Sequence, residues 1–569
     1  MVFTSPSWVP QLPIDPPDSI PIAEFMRNEA YGRQHIVKSR HPFTCGITGR
    51  SYSAPELFER SESFARALAK RLQWQPNEGT PWDKVLAIFS LNTIDFVTAI
   101  YGVHRLNGIA TPANAAYSSD ELTHQLKASG AKALVTCTPL LEVALEAAKN
   151  VGIPEENIYL FDIPRAEPTS SFKHASVEDL INEGSRLAEL EKLQWVQGQG
   201  ARQTAFLCFS SGTSGLPHVT YDSVARRKKG VETQAVTGFL PFSHIYGLVI
   251  GAHTCTWRGD QVIVLPKFEF NDFLKSVQEF KIRQLLVYQQ SSKVPPIIIQ
   301  VLRFKDVCAK YDLSSVKFVY CGAAPLGEET ISDMKKLYPD WTIAQAYGMT
   351  ETATVVTSSS EDDVFTRGSG SLLPGAKAKI IDLEGNEVTE YDKPGELLVQ
   401  APSVVLGYLN NEKATSETFV HHKDGRYIRT GDEAIVTLAP SGHEHIVIVD
   451  RIKELIKVKG HQVAPAELEA HILTSPHVFD CAVIQVPDER SGEVPKAFVV
   501  KSSLAESLDE KKVANDIMKH VADNKASYKQ LRGGVEFLEV IPKSPSGKIL
   551  RRLLRDKERE KRRAEGAKL

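Results

Sequence analysis

Short apolar runs and amphipathic segments alternate along the first two thirds of this chain. Residues 84–89 (KVLAIF) and 133–136 (ALVT) are continuous apolar runs with the length of buried strands. Residues 55–72 and 93–106 instead repeat apolar side chains at helical spacing. Strands that alternate with helices predict an α/β fold, in which helices cover a parallel sheet.

In the middle of the chain, several predicted strands end in loops of small residues. The buried run 205–209 (AFLCF) leads into SSGTSGLP, residues 316–321 lead into GAAPLG, and residues 341–351 read WTIAQAYGMTE. The carboxyl ends of parallel strands lie at one edge of a sheet, which is where open α/β sheets bind ligands. We therefore expect these three loops to converge on one crevice.

The pattern changes again toward the end of the chain. From about residue 368 to 449, short apolar runs alternate with turns, which predicts a small antiparallel, β-barrel-like unit. After Asp450 the pattern is that of a compact α+β domain, with helices at 464–473 and near 511–520 and a strand at 480–485.

The predicted organisation therefore has two domains. Residues 1–449 form a large N-terminal domain of layered α/β subdomains plus the β unit, and residues 450–569 form a small, mobile lid domain with a basic tail. Residues 1 to about 50 are rich in proline, and we expect them to wrap over the surface.

The composition is that of an ordinary globular protein, and 569 residues are enough for more than one domain. A formal net charge of −3 argues against a nucleic-acid-binding protein, so any anion site has to be local. The seven cysteines form no C-x-x-C pair, which indicates a reducing compartment and neither a disulfide framework nor a zinc site. The start lacks a signal-peptide pattern and no apolar run has membrane length, so we expect a soluble, unsecreted protein without a membrane span.

The loop SSGTSGLP has the composition of a phosphate-binding loop. Glycine permits the backbone conformations that turn successive N–H groups inward, and serine and threonine hydroxyls add further donors. Ser/Gly clusters are also common in flexible surface loops, so the loop alone does not identify a site.

Seven motifs in order give a more specific signal. They are SSGTSGLP, LPFSHIYGL, YCGAAPLG, AYGMTE, YIRTGD, DRIKELIKVKGHQVAPAELE and PKSPSGKI. In order and spacing this set resembles the acyl-adenylate-forming superfamily, which includes acyl-CoA synthetases, coumarate-CoA ligases, beetle luciferases and peptide-synthetase adenylation domains. The resemblance covers residues 30 to about 555. It implies that ATP converts a carboxylic acid to acyl-AMP, and that the thiol of coenzyme A then displaces AMP to give a thioester.

The resemblance assigns residues to the triphosphate and its metal. The phosphate donors would come from the loop residues Ser210, Ser211, Gly212, Thr213, Ser214 and Gly215. Thr350 would contact the phosphates, and Glu351 would bind Mg²⁺, a cation that prefers oxygen ligands. Positioning and charge neutralisation are what catalysis of such transfers mostly requires.

For the nucleoside, the resemblance implies two groups of contacts. The adenine would lie against Gly322, Ala323, Ala324, Pro325, Tyr347 and Gly348, where small residues let the backbone approach the ring. Asp432 would accept hydrogen bonds from the ribose hydroxyls, with Arg451 assisting.

The resemblance also implies two states of the lid domain. Lys548 would reach the acyl carboxylate and the α-phosphate in the first half-reaction. A swing about Asp450 would then bring Lys453, Lys457, Lys459 and Gly460 to the path of the entering thiol. Such a swing is reasonable because the anhydride has to be shielded from water until the thiol arrives.

The acyl pocket is assigned in the same way. His244 would line it and help to close it, and its walls would come from residues 245–250, 321–322 and 348–349.

The chain departs from the family pattern in two places. Position 218 is histidine where the family has lysine, and residues 219–240 lack the apolar helix with a Ser-His pair that relatives place there. In addition, residues 287–293 (VYQQSSK) read as a polar intrusion where a strand would continue directly into residues 294–297. One hypothesis is a lost exon segment with a retained intron, and another is a degenerate paralogue.

The chain ends in Ala567-Lys568-Leu569, which resembles the tripeptide that the peroxisomal import receptor reads. This predicts a protein of the peroxisomal matrix, and otherwise of the cytoplasm.

The leading hypothesis is an acid-CoA ligase acting on an aryl, phenylpropanoid or medium-chain fatty acid. One alternative is an adenylating module without transfer to CoA. The other is a paralogue that binds ligand without catalysis, either because it is inactive or because its sequence comes from an incorrect gene model. No carrier domain follows Lys548, which disfavours the first alternative.

The hypothesis of a lost exon segment and a retained intron is tested by sequencing the transcript across codons 210 to 300. A lost segment or a retained intron would appear as a mismatch with the sequence printed above. An unbroken match would exclude this explanation.

Overall fold

The structure is a computed structural model that describes residues 2–7, 17–209, 230–288, 297–322, 326–382, 384–459, 461–543 and 549–566. The strands are β1 (Phe3–Thr4), β2 (Phe43–Cys45), β3 (Ser51–Tyr52), β4 (Val85–Phe89), β5 (Ile109–Ala113), β6 (Ala133–Cys137), β7 (Ile158–Phe161), β8 (Ala235–Gly238), β9 (Gln261–Val264), β10 (Gln284–Tyr288), β11 (Phe318–Gly322), β12 (Thr342–Met349), β13 (Thr354–Ser358), β14 (Ser371–Leu372), β15 (Lys377–Ile381), β16 (Glu387–Val388), β17 (Gly395–Gln400), β18 (Phe419–His422), β19 (Gly425–Leu438), β20 (Glu444–Arg451), β21 (Ile456–Val458), β22 (His461–Val463), β23 (Val478–Asp488), β24 (Gly492–Lys501) and β25 (Val535–Phe537).

The helices alternate with these strands. They are α1 (Ile22–Arg27), α2 (Ala54–Leu72), α3 (Phe96–Arg105), α4 (Ser119–Ser129), α5 (Leu141–Val151), α6 (Val177–Gly184), a π-helix (Tyr246–Cys255), α7 (Phe270–Phe280), α8 (Ile297–Arg303), α9 (Lys305–Cys308), α10 (Glu328–Leu337), α11 (Glu412–Thr418), α12 (Pro465–Ile472), α13 (Glu510–Asn524) and α14 (Arg551–Gly566). Among these helices, none is both long and apolar enough to cross a bilayer.

Two sheets of the N-terminal part confirm the predicted α/β fold. One has four parallel strands in the order β5-β4-β6-β7. The other has nine strands in the order β14-β13-β12-β11-β10-β8-β9-β2-β3, of which β12 through β2 are parallel. Parallel sheets are stable when both faces are covered, which explains why their strands read as continuous apolar runs.

The prediction that residues 205–209 form a buried strand is wrong. This segment makes a single parallel bridge, between Phe206 and Ala110 of β5, and Phe206 is its one residue in the buried core. The apolar run is therefore an extended border of the four-stranded sheet, and its side chains face neighbouring helices and a cavity.

The prediction for the start of the chain is also wrong in part. Phe43 to Cys45 form a strand inside the nine-stranded sheet, in parallel register with β9, and all three residues are buried. Phe25 and Met26 of α1 are buried as well. Three residues are too few for a periodic signal, so this strand was missed.

The supposed intrusion at residues 287–293 starts inside a regular strand. Val287 is the fourth residue of β10 and pairs with Cys321 of β11, and a helix, not a strand, begins at Ile297. Residues 289–296 lie outside the described residues.

A third sheet confirms the predicted antiparallel unit. Strands β1-β15-β17-β19-β18, with β16 beside β15 and β20 beside β19, surround a core that includes Ile380, Leu397 and Ile428. This sheet supplies the residues that face the carboxyl edge of the nine-stranded sheet.

The C-terminal part is α+β, with a five-stranded sheet packed against α12, α13 and α14. Helix α14 is held by a buried ion pair in which Arg551 Nη2 lies 2.7 Å from Glu469 Oε2. Asp450 lies in β20, and its Oδ2 accepts a hydrogen bond of 3.0 Å from the amide of Ala466 at the start of α12. The domain boundary at Asp450 stays a prediction.

Candidate active site

The candidate site lies at the carboxyl edge of the nine-stranded sheet. Strand β11 ends at Gly322, and a Cβ atom at this position would lie 3.1 Å from the Tyr246 ring. The Tyr246 hydroxyl donates a 2.8 Å hydrogen bond to the carbonyl oxygen of Tyr320. Gly322 thus allows the start of the π-helix to pack directly onto the end of β11.

Tyr347, Asp432 and Arg451 lie together, as predicted for a ribose site. The Tyr347 hydroxyl donates a 2.6 Å hydrogen bond to Asp432 Oδ2, and Arg451 Nε lies 3.7 Å from Asp432 Oδ1. Asp432 and Arg451 face each other in the β19–β20 register. Burial and the neighbouring Asp432 carboxylate raise the pKa of Tyr347 well above its usual value, so its hydroxyl remains a donor.

Gly348 is required by a close backbone contact. The β12–β13 register shifts between Tyr347 and Gly348, and a Cβ at Gly348 would lie 1.7 Å from the Thr354 carbonyl oxygen. The chain then forms a 3-10 turn, Thr350–Thr352, closed by Ala353 at a φ of 54°. Thr350 and Glu351 therefore lie in the turn directly after β12, three and four residues beyond Tyr347, at the edge of the sheet.

The loop that precedes α11 contacts both the side chain and the backbone of Glu351. Its Oε1 accepts a 2.9 Å hydrogen bond from the Tyr408 hydroxyl, and its carbonyl oxygen accepts one of 3.0 Å from the Val405 amide. Burial and the Glu351 carboxylate raise the pKa of Tyr408 to about 12. Sequence reasoning missed Tyr408, because only the fold brings it next to Glu351.

The donor set fits Mg²⁺. The described residues contain no cluster of three or more His, Cys, Asp or Glu side chains that could enclose a metal ion. Mg²⁺ is commonly bound by one or two carboxylates, together with substrate phosphates and water, so the single carboxylate of Glu351 is sufficient.

His244 precedes the π-helix. Its Nδ1 accepts a 3.3 Å hydrogen bond from the amide of Tyr246, which places the imidazole proton on Nε2. Burial lowers the pKa of His244 to about 4, so the ring is neutral near pH 7. It can orient a substrate but cannot supply a positive charge.

The predicted thiol-path lysines lie on the surface of the C-terminal part. Lys453 follows β20, Lys457 lies in β21, and Lys459 occupies the turn to β22 with a φ of 49°. All three are exposed. Several predicted site residues lie outside the described residues: Ser210, Ser211, Gly212, Thr213, Ser214, Gly215, His218, Ala323, Ala324, Pro325, Gly460 and Lys548.

A cavity of about 1600 Å³ adjoins Glu351. Ile245 and Val249 line it, as predicted for the acyl pocket. His244 and the predicted wall residues at 321–322 and 348–349 are not among its described lining, and neither are the other residues of 245–250. Further lining that the sequence did not indicate comes from distant segments and includes Phe25, Met26, His104, Phe206, His253, Thr254 and Trp257.

Comparison with protein families gives two matches. Residues 32–409 match the model of the AMP-binding enzyme family, and residues 467–548 match that of the AMP-binding enzyme C-terminal domain. The chain is 39% identical over 574 residues to acyl-CoA ligase easD of Emericella nidulans, covering 98% of this chain and 100% of that protein. It is 38% identical to acyl-CoA ligase cm3C of Cordyceps militaris, covering 98% of this chain and 90% of that protein.

Solved structures agree on the fold. The anthranilate CoA ligase AuaEII in complex with anthranoyl-AMP has a TM-score of 0.76 at 21% identity, covering 95% of this chain and 98% of that one. ATP-bound MatB from Rhodopseudomonas palustris has a TM-score of 0.72 at 21% identity, covering 95% of this chain and 99% of that one.

The Tyr347–Asp432 hydrogen bond gives a testable prediction. Tyr347→Phe removes the donor that fixes the Asp432 carboxylate, and we expect the KM for ATP to rise roughly tenfold, with a smaller change in kcat. Tyr427→Phe is a matched control, since the Tyr427 hydroxyl donates a 2.7 Å hydrogen bond to Asp424 on the same sheet. An equal KM in both variants would contradict the assignment of Asp432 to the nucleotide.

Proposed function

This chain belongs to the AMP-binding enzyme family, and we propose that it forms the CoA thioester of an aryl, phenylpropanoid or medium-chain fatty acid in a magnesium-dependent reaction. At the coarser level it is an acyl-CoA ligase, which activates a carboxylic acid with ATP through an acyl-adenylate and transfers the acyl group to CoA. The residues at the carboxyl edge of the large sheet support the nucleotide and magnesium part of the proposal, and the class of acid rests on the sequence resemblance alone.

The observation that carries the proposal is the grouping of Glu351, Tyr347 and Asp432 where β12 ends. In the first half-reaction, a carboxylate oxygen of the acid bonds to the α-phosphorus of ATP, and the bond from that phosphorus to pyrophosphate breaks. Asp432 would hold the ribose while Thr350 and Glu351 face the phosphates. This arrangement fixes the reacting atoms, which is the larger part of catalysis in such transfers.

Glu351 would bind Mg²⁺ through its carboxylate, and the Tyr408 hydroxyl would keep that carboxylate in place. The ion, when bound, would neutralise charge on the triphosphate.

During the first half-reaction, the Lys548 ammonium would contact the acyl carboxylate and the α-phosphate and neutralise part of their negative charge. In the second, the CoA sulfur bonds to the acyl carbon, the bond from that carbon to the AMP oxygen breaks, and the thiol proton leaves. Lys453, Lys457, Lys459 and Gly460 would face the pantetheine path after the swing about Asp450. Neutral His244 lies directly before Ile245, which lines the cavity, and its ring accepts a hydrogen bond from the amide of Tyr246, so it would help to fix the start of the π-helix beside the acyl pocket.

The two alternative functions differ from a CoA ligase in the products that they would release. A module that adenylates without transfer would release pyrophosphate but form no thioester. A non-catalytic paralogue would do neither, and His218 together with the short segment 219–240 is the feature that favours it. Pyrophosphate release measured with and without CoA separates the three.

We expect pyrophosphate release that depends on an added carboxylic acid, and thioester formation that depends on CoA. In Lys548→Ala, adenylation should fall by at least about a hundredfold, because a positioned charge near the α-phosphate is lost. Thioester formation from a presynthesised acyl-adenylate should remain close to wild type.

Lys557→Ala is the control, since Lys557 lies on the exposed side of α14. If Lys548→Ala behaved like Lys557→Ala in both half-reactions, the role of Lys548 would be wrong. Absence of pyrophosphate release with every acid, in a folded protein, would favour the non-catalytic alternative.

We also propose that the protein is located in peroxisomes, because the import receptor would recognise its C-terminal tripeptide Ala567-Lys568-Leu569. These residues lie outside the described part of the chain, and α14 before them is strongly charged. A fluorescent reporter that carries the last 22 residues should accumulate in peroxisomes, and the same reporter without the final tripeptide should not. Diffuse signal from both reporters would contradict the proposal.

A further inference from the structure

Arg303, the last residue of α8, hydrogen-bonds to the C-terminal part of the chain. Its Nη1 donates a 3.2 Å hydrogen bond to the carbonyl oxygen of Phe479, and its Nη2 donates another to the carbonyl oxygen of Val478. The guanidinium carbon also lies 5.5 Å from the centre of the Phe479 ring. Hydrogen bonds from a charged donor are stronger than neutral ones, and a cation over an aromatic ring adds to them. A single side chain thus joins the N-terminal and C-terminal parts through several contacts.

Two segments that follow neighbouring strands of the large sheet contact the C-terminal part. Arg303 ends the first described helix after β10, and Gly327 lies between β11 and α10. A Cβ atom at Gly327 would lie 3.2 Å from the Cβ atom of Ala470 in α12. Tyr288 at the end of β10 pairs with Gly322 at the end of β11. The C-terminal part is therefore docked beside the strands whose carboxyl ends border the candidate nucleotide site.

The segment that Arg303 contacts also fixes one of the residues that flank positions 544–548. Asp480 directly follows the contacted residues, and its Oδ2 lies 2.6 Å from Nζ of Lys543, whose side chain is buried. Lys543 in turn forms an antiparallel bridge with Ile549. Positions 544–548, which contain the lysine proposed for the first half-reaction, lie outside the described residues. Both residues that flank them belong to the end of the C-terminal sheet that Arg303 contacts.

The lysines proposed for the thiol path lie at the other end of this sheet. The amide of Lys459 donates a 2.9 Å hydrogen bond to the carbonyl oxygen of Ser491, which directly precedes β24. Val478 is the first of the eleven residues of β23, and β24 runs back antiparallel to it. At about 3.3 Å per residue, the two ends of β23 are on the order of 30 Å apart. Arg303 therefore contacts the end of the sheet that carries Lys543, and the end that carries Lys459 is far away.

We infer that Arg303 is a positioning residue that holds the C-terminal part in the arrangement used by the first half-reaction. The inference rests on the proposed function and on the swing about Asp450 that it includes. A swing that replaces one end of the sheet by the other has to break the hydrogen bonds to Val478 and Phe479. Because these bonds exist in one arrangement only, they shift the equilibrium toward it. Arg303 is not part of the described cavity lining, so it acts through this equilibrium and not on the acid.

The ratio of the two half-reaction rates measures this equilibrium. Each rate is proportional to the fraction of protein in the matching arrangement, so the ratio follows the equilibrium constant between the two. The rate of adenylation is divided by the rate of thioester formation from a presynthesised acyl-adenylate. In Arg303→Ala we expect this ratio to fall roughly tenfold. Arg303→Lys keeps the charge but loses the planar fork, so it should lower the ratio less.

Arg105→Ala is the matched control. Arg105 Nη2 donates a 3.0 Å hydrogen bond to the carbonyl oxygen of Leu190, and its Nε lies 2.9 Å from Glu62 Oε2. The substitution removes a comparable charged hydrogen bond, but both partners belong to the N-terminal part. A loss of stability alone lowers both rates together, so we expect the ratio to stay at the wild-type value.

A pair of introduced cysteines reports on the arrangement itself. In Gly327→Cys/Ala470→Cys the two Cβ atoms would lie close to the separation of about 3.5 to 4.5 Å that disulfides require. We expect the oxidised variant to retain adenylation and to lose thioester formation from the acyl-adenylate until a reductant is added. Adding Arg303→Ala should slow formation of the disulfide. The two single-cysteine variants control for unrelated oxidation.

The outcomes are distinguishable. An unchanged ratio in Arg303→Ala, or an equal fall of both rates, would overturn the inference. Thioester formation that persists in the oxidised cysteine pair would also overturn it, since the docked arrangement would then not belong to the first half-reaction. If no acid gave pyrophosphate, the proposed function would fail, and disulfide formation alone would decide the role of Arg303. That role stands if Arg303→Ala slows the disulfide more than Arg105→Ala does, and it falls if the two are equal.

Discussion

A hydrogen bond from the Tyr347 hydroxyl to Asp432 connects two sheets at the candidate nucleotide site. Tyr347 belongs to the large, mainly parallel sheet, and Asp432 belongs to the antiparallel sheet that follows it in the chain. The packing of the two sheets at this point helps to fix the direction of the Asp432 carboxylate, which also lies 3.7 Å from Arg451 Nε on the neighbouring strand. The proposed ribose contact therefore depends on how the two sheets pack against each other.

This dependence explains why the edge of the large sheet has its particular shape. Gly348 permits a backbone approach that any side chain would block, and the 3-10 turn that follows the bulge contains Glu351, which lines the cavity. The Tyr408 hydroxyl, from the loop before α11, then donates a hydrogen bond to the Glu351 carboxylate. The cavity that Glu351 lines continues along the π-helix, where Ile245, Val249 and Trp257 line it, so Glu351 and these side chains border one continuous space.

Much of this could be predicted from the sequence, for identifiable reasons. The long periodic segment at α2 and the continuous apolar runs at β4 and β6 gave correct elements, and the motifs around Tyr347 and Asp432 gave residues that the fold brings together. Short or non-periodic segments were not predicted correctly. The three residues of β2 carry no pattern, the run 205–209 has a strand's composition but makes a single bridge, and Tyr408 and Trp257 reach the cavity only through tertiary packing.

The most direct measurement is a crystal structure of the protein with ATP and Mg²⁺. The account predicts ribose hydroxyls within hydrogen-bonding distance of Asp432, the adenine beside Tyr347 and Gly322, and the metal ion next to the Glu351 carboxylate. A nucleotide bound elsewhere, or one whose ribose does not contact Asp432, would contradict it.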